Sequence, residues 1–213
     1  SGLGSSAALA VATTKALSEF LGHPLPVETV NRIAYECETY IHGNPSGIDN
    51  TVVSYEKPLY FQKSQGFEFL HPGGTFNFVL ADSGTSKSTQ ESVASVAQQL
   101  VERPMEGQAI LTQIGQVVEQ GKQAFLDGDT KTLAIAMNHN QQLLAALELS
   151  SPGLDQLIKT AREAGALAAK LTGGGRGGHM LALVEDSKLP LVYESLQQAS
   201  SDRAFIAIVR NQC

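Results

Sequence analysis

Three groups of residues have the types and spacing for chemistry. The chain opens on Ser1-Gly2-Leu3-Gly4-Ser5-Ser6-Ala7-Ala8 and runs directly into an apolar helical stretch. Glycines let a ligand approach the backbone closely. The first N–H groups of a helix lack partners within it, and the helix dipole favours an anion there. Ser5 and Ser6 add hydroxyls able to bond phosphate oxygens or a hard cation such as Mg²⁺. No Gly-Lys-Ser/Thr follows, so this is not a Walker loop. Read on its own, the loop is equally a serine-capped helix start.

The second group is acidic. Glu38 lies near the end of an expected helix, and Asp49 sits in the turn His42-Gly43-Asn44-Pro45-Ser46-Gly47-Ile48-Asp49-Asn50. One carboxylate can hold a metal while another takes the proton of an attacking hydroxyl. Their structural readings are a helix-surface pair of Glu38 with His42 and a turn-forming Asp49. The third group is Thr172 to Gly178, where five of the six positions 173–178 are glycine, more than a tight turn requires. Two glycine-rich loops with two acidic residues point to phosphoryl transfer from a nucleotide. Lys87, Thr89, His139 and Asn140 read as ordinary loop or helix residues, and His179 as a packed one.

Composition narrows the class. A chain of 213 residues with 42% hydrophobic content builds a real core as one large or two small domains. A net charge of −6 argues against nucleic acid as partner. No apolar run is long enough to span a bilayer, so no membrane partner is expected. Cys37 and Cys213 form no disulfide framework, and a reducing cytoplasm is the simplest setting.

The elements that must position these groups follow from periodicity. Helices are expected over 5–21, 26–43, 88–102, 106–127, 130–148, 153–165 and 187–199. Strands are expected over 51–54, 58–62, 67–70, 76–81, 168–171, 180–184 and 204–209. Pro72-Gly73-Gly74 marks a break and the preferred domain boundary, with an α+β sandwich beyond it.

With these residues in hand, the chain resembles the GHMP kinases, which phosphorylate small-molecule hydroxyls or phosphates. Gly2 to Ala8 looks like their phosphate-binding motif, and Lys170-Leu171-Thr172-Gly173 through Gly178 like their third motif. The segment His42 to Asn50 is most similar to the mevalonate kinase branch. The resemblance implies an α+β, two-domain architecture. Residues 1–74 would be the remainder of a ribosomal S5-like nucleotide-binding domain, and residues 75–213 a ferredoxin-like C-terminal domain.

It further implies ATP, with Gly2, Leu3, Gly4, Ser5, Ser6 and Ala7 at the triphosphate, and Mg²⁺ held by Ser6 and Glu38. Asp49 would be the base that deprotonates the C5 hydroxyl of mevalonate. Lys87, Thr89, Gly173, Gly174 and Gly175 would line the acceptor pocket. A homodimer is in keeping with the family. Phosphomevalonate or homoserine kinase activity, or a non-catalytic nucleotide-binding module, are the alternatives.

Two departures stand out. Arg176 occupies a place usually given to a small residue, where its cation reads equally as a phosphate contact or as solvent-facing. The family's N-terminal segment, with its first motif and several strands, has no counterpart, which reads as a truncated chain whose first helix exposes apolar surface.

Overall fold

A computed structural model describes residues 3–43, 45–85 and 89–211, with the side chains of His42 and Thr89 outside that description. Contacts divide the chain into two compact units, one over residues 3–70 and one from residue 71 onward.

The first unit holds three helices and a hairpin: α1 Ser5–Phe20, α2 Val27–His42, α3 Ile48–Tyr55, β1 Leu59–Gln62 and β2 Gly66–Phe69. Val11 of α1 packs with Val30 and Ala34 of α2, and Val53 of α3 closes this small core. Val30 and Ala34 are four residues apart and share one helix face. The opposite side of α1 is open, with Leu9 71% and Phe20 87% exposed. β1 and β2 pair antiparallel, and Tyr55 joins Phe67 and Phe69 in an aromatic cluster with centroids 5.2–5.4 Å apart.

One sequence expectation fails here. Residues 51–54 are not a strand but the body of α3. Thr51-Val52-Val53-Ser54 is rich in β-branched residues, whose local preference for strands is weak beside tertiary context. Gly47, left-handed at φ 93°, starts the helix, and the Thr51 hydroxyl donates back to its carbonyl at 2.6 Å.

The second unit is an antiparallel four-stranded sheet with helices on both faces. Its elements are β3 Phe76–Asp82, α4 Thr89–Glu102, α5 Pro104–Asp127, α6 Thr130–Ala146, α7 Pro152–Glu163, β4 Ala168–Leu171, β5 His179–Val184, α8 Leu189–Ala199 and β6 Ala204–Val209. The strand order is β4-β5-β3-β6. Alternation along the strands sorts the core. Val79, Ala81, Ala169, Leu171, Met180 and Ala182 face α7 and α8, while Phe76, Ala168 and Leu183 face α5 and α6. Pro72-Gly73-Gly74 belongs to this unit: Gly73 donates to the Phe125 carbonyl at 3.0 Å, and a Cβ on it would collide with the Leu126 carbonyl.

The outer edge of β4 is closed by side chains instead of a fifth strand. Asn138 of α6 donates to the Leu167 carbonyl at 3.0 Å and accepts from the Ala169 N–H at 3.4 Å. Gln141 accepts from the Leu171 N–H at 2.8 Å. Arg162 of α7 bridges the Asn138 side-chain oxygen at 2.8 Å and the Ala169 carbonyl at 3.2 Å. An open edge is thereby made unavailable for pairing. Asn138→Ala strips three of these bonds and leaves partly buried backbone groups unsatisfied. Chemical denaturation of the variant is expected to show a loss of about 2 kcal/mol or more.

Candidate functional site

The first unit brings two helix starts together. α1 begins after Gly4, which is left-handed at φ 66° and supplies no side-chain cap. α3 begins after Gly47, likewise left-handed and uncapped by a side chain. A Cβ added to Gly4 would stand 3.4 Å from the Asp49 Cβ and 3.6 Å from its Cγ. The Asp49 carboxyl, in the first turn of α3, therefore lies against the opening loop. Two positive helix poles and a carboxylate converge where a phosphate and a proton-yielding hydroxyl could meet.

Asp49 is fixed by residues that motif reading passed over. Its neighbour Asn50 is buried and donates to the Asn31 side-chain oxygen at 2.6 Å and to the Asn31 carbonyl at 3.4 Å. Asn31 in turn donates to the Thr51 hydroxyl at 3.5 Å. This network pins the start of α3 to α2. Asn50 was in view only as part of a turn, and Asn31 carried no signal because it is a lone amide in a helix.

Glu38 is 4% exposed. It continues the buried Val30–Ala34 stripe by one more turn, so its carboxylate lies on the packed side of α2 and not on a solvated face. A buried carboxylate such as Glu38, and hydroxyls such as those of Ser5 and Ser6 in the first turn of α1, are each hard oxygen donors of the kind that suits Mg²⁺. Among the described residues no group of three His, Cys, Asp or Glu could hold a metal unaided. A cation here would need phosphate oxygens to complete its shell, which is how Mg²⁺ is usually held at nucleotide sites.

In the second unit the glycine loop is a backbone junction. Gly178 donates to the Thr85 carbonyl at 2.5 Å, and Ser83 donates to the Gly178 carbonyl at 2.9 Å. A Cβ on Gly177 would lie 2.6 Å from the Thr85 oxygen, and one on Gly175 would collide with the Leu149 carbonyl. The loop thus locks the segment after β3 that leads toward Lys87 and Thr89. Arg176 is tied within its own unit: its Nε donates to the Glu148 carbonyl at 3.0 Å and its Nη2 to the Ser95 hydroxyl at 2.5 Å. His179 is buried, with its ring 6.3 Å from that of Phe205. Gly2, Lys87 and the side chain of Thr89 lie outside the described residues.

Lys170, one strand residue before Leu171 and the loop, is partly buried and donates to the Leu171 carbonyl at 2.7 Å. Burial pushes its amine down to about 8.

Residues 1–57 match the family profile described as GHMP kinases N terminal domain, and residues 122–202 that described as GHMP kinases C terminal. A mevalonate kinase of Thermococcus sibiricus is 41% identical over 192 residues, 88% of this chain and 57% of that protein. One of Aeropyrum pernix is 34% identical over 215 residues, 99% of this chain and 65% of that protein. The chain thus spans little more than half the length of the first of these relatives. Among solved structures, the mevalonate kinase of L. major in complex with R-mevalonate matches with a TM-score of 0.90 at 30% identity, over 99% of this chain and 66% of that one. A Streptococcus pneumoniae phosphomevalonate kinase matches with a TM-score of 0.79 at 16% identity over 98% of this chain and 69% of that one, a likeness of fold alone.

Lys170 makes stability depend on pH. Its folded value of about 8 lies below its ordinary value of 10.5, so between them the unfolded chain binds more protons and stability rises with pH. Lys170→Met is expected to be more stable than the parent at pH 7, with the gap narrowing as pH approaches 10. Urea denaturation at the two pH values reads the difference.

Proposed function

The chain belongs to the GHMP kinase family, and we propose that it is the catalytic portion of a mevalonate kinase, transferring the γ-phosphoryl group of ATP to the C5 hydroxyl of mevalonate. The observation that carries this reading is the Asp49 carboxyl lying against Gly4 at the start of α1. The named relatives supply the acceptor. All of the similar curated proteins given above are mevalonate kinases, and the L. major structure holds R-mevalonate.

On this reading the N–H groups at the start of α1 and the hydroxyls of Ser5 and Ser6 bind the triphosphate, with Gly2, Leu3, Gly4 and Ala7 forming the rest of the cradle. Ser6 and Glu38 would hold Mg²⁺, which when bound neutralises charge on the phosphate oxygens. Asp49 accepts the proton of the C5 hydroxyl as its oxygen bonds to the γ-phosphorus. The bond from that phosphorus to the bridging oxygen breaks and ADP leaves. A hydroxyl is a weak nucleophile, so the base acts as the bond forms, and much of the rate comes from holding both partners in line. Lys87, Thr89 and Gly173, Gly174 and Gly175 serve acceptor binding.

A second reading is a nucleotide-binding module without turnover. Coupled ADP release with mevalonate, phosphomevalonate and homoserine separates the two. Turnover with mevalonate alone is expected, and nucleotide binding without turnover would establish the module instead.

Asp49→Asn keeps the shape of the side chain and removes the base. Its kcat is expected to fall by about 100-fold or more, the usual contribution of a positioned base, with nucleotide affinity within a few-fold of the parent by calorimetry. Full activity in this variant would end the assignment of Asp49 as base.

A further inference from the structure

We propose that Arg176 is a positioning residue that clamps α4 onto the glycine loop and thereby sets how tightly the acceptor is held; the second half of this statement rests on the acceptor reading above. Arg176 has φ 59°, the left-handed conformation in which a side chain is unfavourable and glycine is the ordinary occupant. An arginine persists there only if its contacts offset that cost.

Those contacts reach two other segments. The Arg176 N–H donates to the Leu149 carbonyl at 2.6 Å. Its Nε donates to the carbonyl of Glu148, itself left-handed at φ 55°. Its Nη2 donates to Ser95 on α4 at 2.5 Å. One guanidinium thus joins the glycine loop, the connection between α6 and α7, and α4. Its fork geometry lets one side chain serve two acceptors at fixed angles, which a lysine ammonium does not reproduce.

α4 depends on such ties. It leaves Val93 and Val101 63% and 82% exposed, so its apolar grip is partial. A second tie of the same kind lies one turn along the same face, where Gln99 donates to the Leu147 carbonyl at 3.1 Å. Both ties end on the connection between α6 and α7 or on the loop beside it. α4 begins at Thr89, less than two turns from Ser95, so a shift of α4 carries the start of the helix with it. The glycine loop holds the other end of the same segment through Thr85. Gly178 therefore holds Thr85 and Arg176 holds α4 through Ser95, the two described flanks of positions 86–88.

The test compares R176G, R176K and S95A with the parent chain by amide hydrogen exchange across residues 89–102, by KM and kcat for mevalonate, by nucleotide affinity and by Tm. Both Arg176 variants are expected to speed exchange along α4 and to raise the mevalonate KM by about tenfold, the size of one lost charged hydrogen bond. kcat and nucleotide affinity should stay within about twofold of the parent under this assignment. R176G should keep the parent's Tm to within a few degrees, because glycine relieves the left-handed conformation. This separates positioning from simple loss of fold. S95A removes one arm of the clamp and should give an intermediate effect; it decides the matter if R176G does not fold. Parent-like exchange in α4 for R176G and S95A overturns the clamp, and so does an unchanged KM once α4 is released. A parent chain that turns over a different acceptor overturns the mevalonate reading alone, while the exchange data still decide the clamp.

Discussion

The close passage of one backbone past two others, at Gly175 to Gly178, is the constraint on which the second unit depends. Gly177 and Gly178 meet the Thr85 carbonyl, and Gly175 and Arg176 meet that of Leu149. A side chain at Gly175 or at Gly177 could not stand there without moving a carbonyl. β4 and β5 must therefore be joined by this loop and not by a two-residue turn, because the loop does more than reverse the chain. It carries the register of β5 against β3, where Asp82 faces His179, outward into the segment after β3. Sheet, loop and α4 are then joined in series, through Thr85 on one side and Ser95 on the other.

The first unit uses a different means to the same end. Its core is small, with Val11, Val30 and Ala34 at the centre. Burial of so few side chains gives limited stabilisation, at about 25 cal/mol per Å² of apolar surface. Precision at Asp49 comes instead from directional bonds, through Asn50, Asn31, Thr51 and Gly47. Such a network is strong only when each member is satisfied, and it tolerates substitution poorly. The helix starts it holds have glycine caps with no side chain of their own. A serine or aspartate at Gly4 would satisfy an N–H within the protein, but would compete with an incoming anion for it. The uncapped start is less stable alone and better prepared for a phosphate.

Much of this was legible in the sequence, and the limits were physical. The amphipathic helices and the buried strands of the second unit were readable because their periods are strong and their ends carry Gly or Pro, as at Gly128 and Pro152. The fold of residues 48–55 was not, because Thr51-Val52-Val53 favours a strand locally while Gly47 and the packing of Val53 impose a helix. Glycine density disclosed the loop at 173–178, yet nothing local disclosed the partners Thr85 and Leu149, which lie far off in the chain. Glu38 read by type either as a metal-holding carboxylate or as half of a helix-surface pair with His42. Its burial follows from its place on the Val30–Ala34 stripe, a pattern that a reading by residue type overlooks.

Arg176 shows where such reading stops for a deeper reason. By composition it is a cation in a phosphate-type loop, and the two ordinary fates of a cation there are a phosphate or water. The structure gives it a third, hydrogen bonding to a carbonyl and a hydroxyl within its own unit. Charge alone does not distinguish these fates; the backbone angle does. At φ 59° the side chain leaves the loop in a direction closed to residues of ordinary conformation. The direction of that departure brings it to Ser95 on α4. The same left-handed geometry that normally calls for glycine is thus what makes an arginine useful at this position, and the role of the residue is inseparable from the strain it bears.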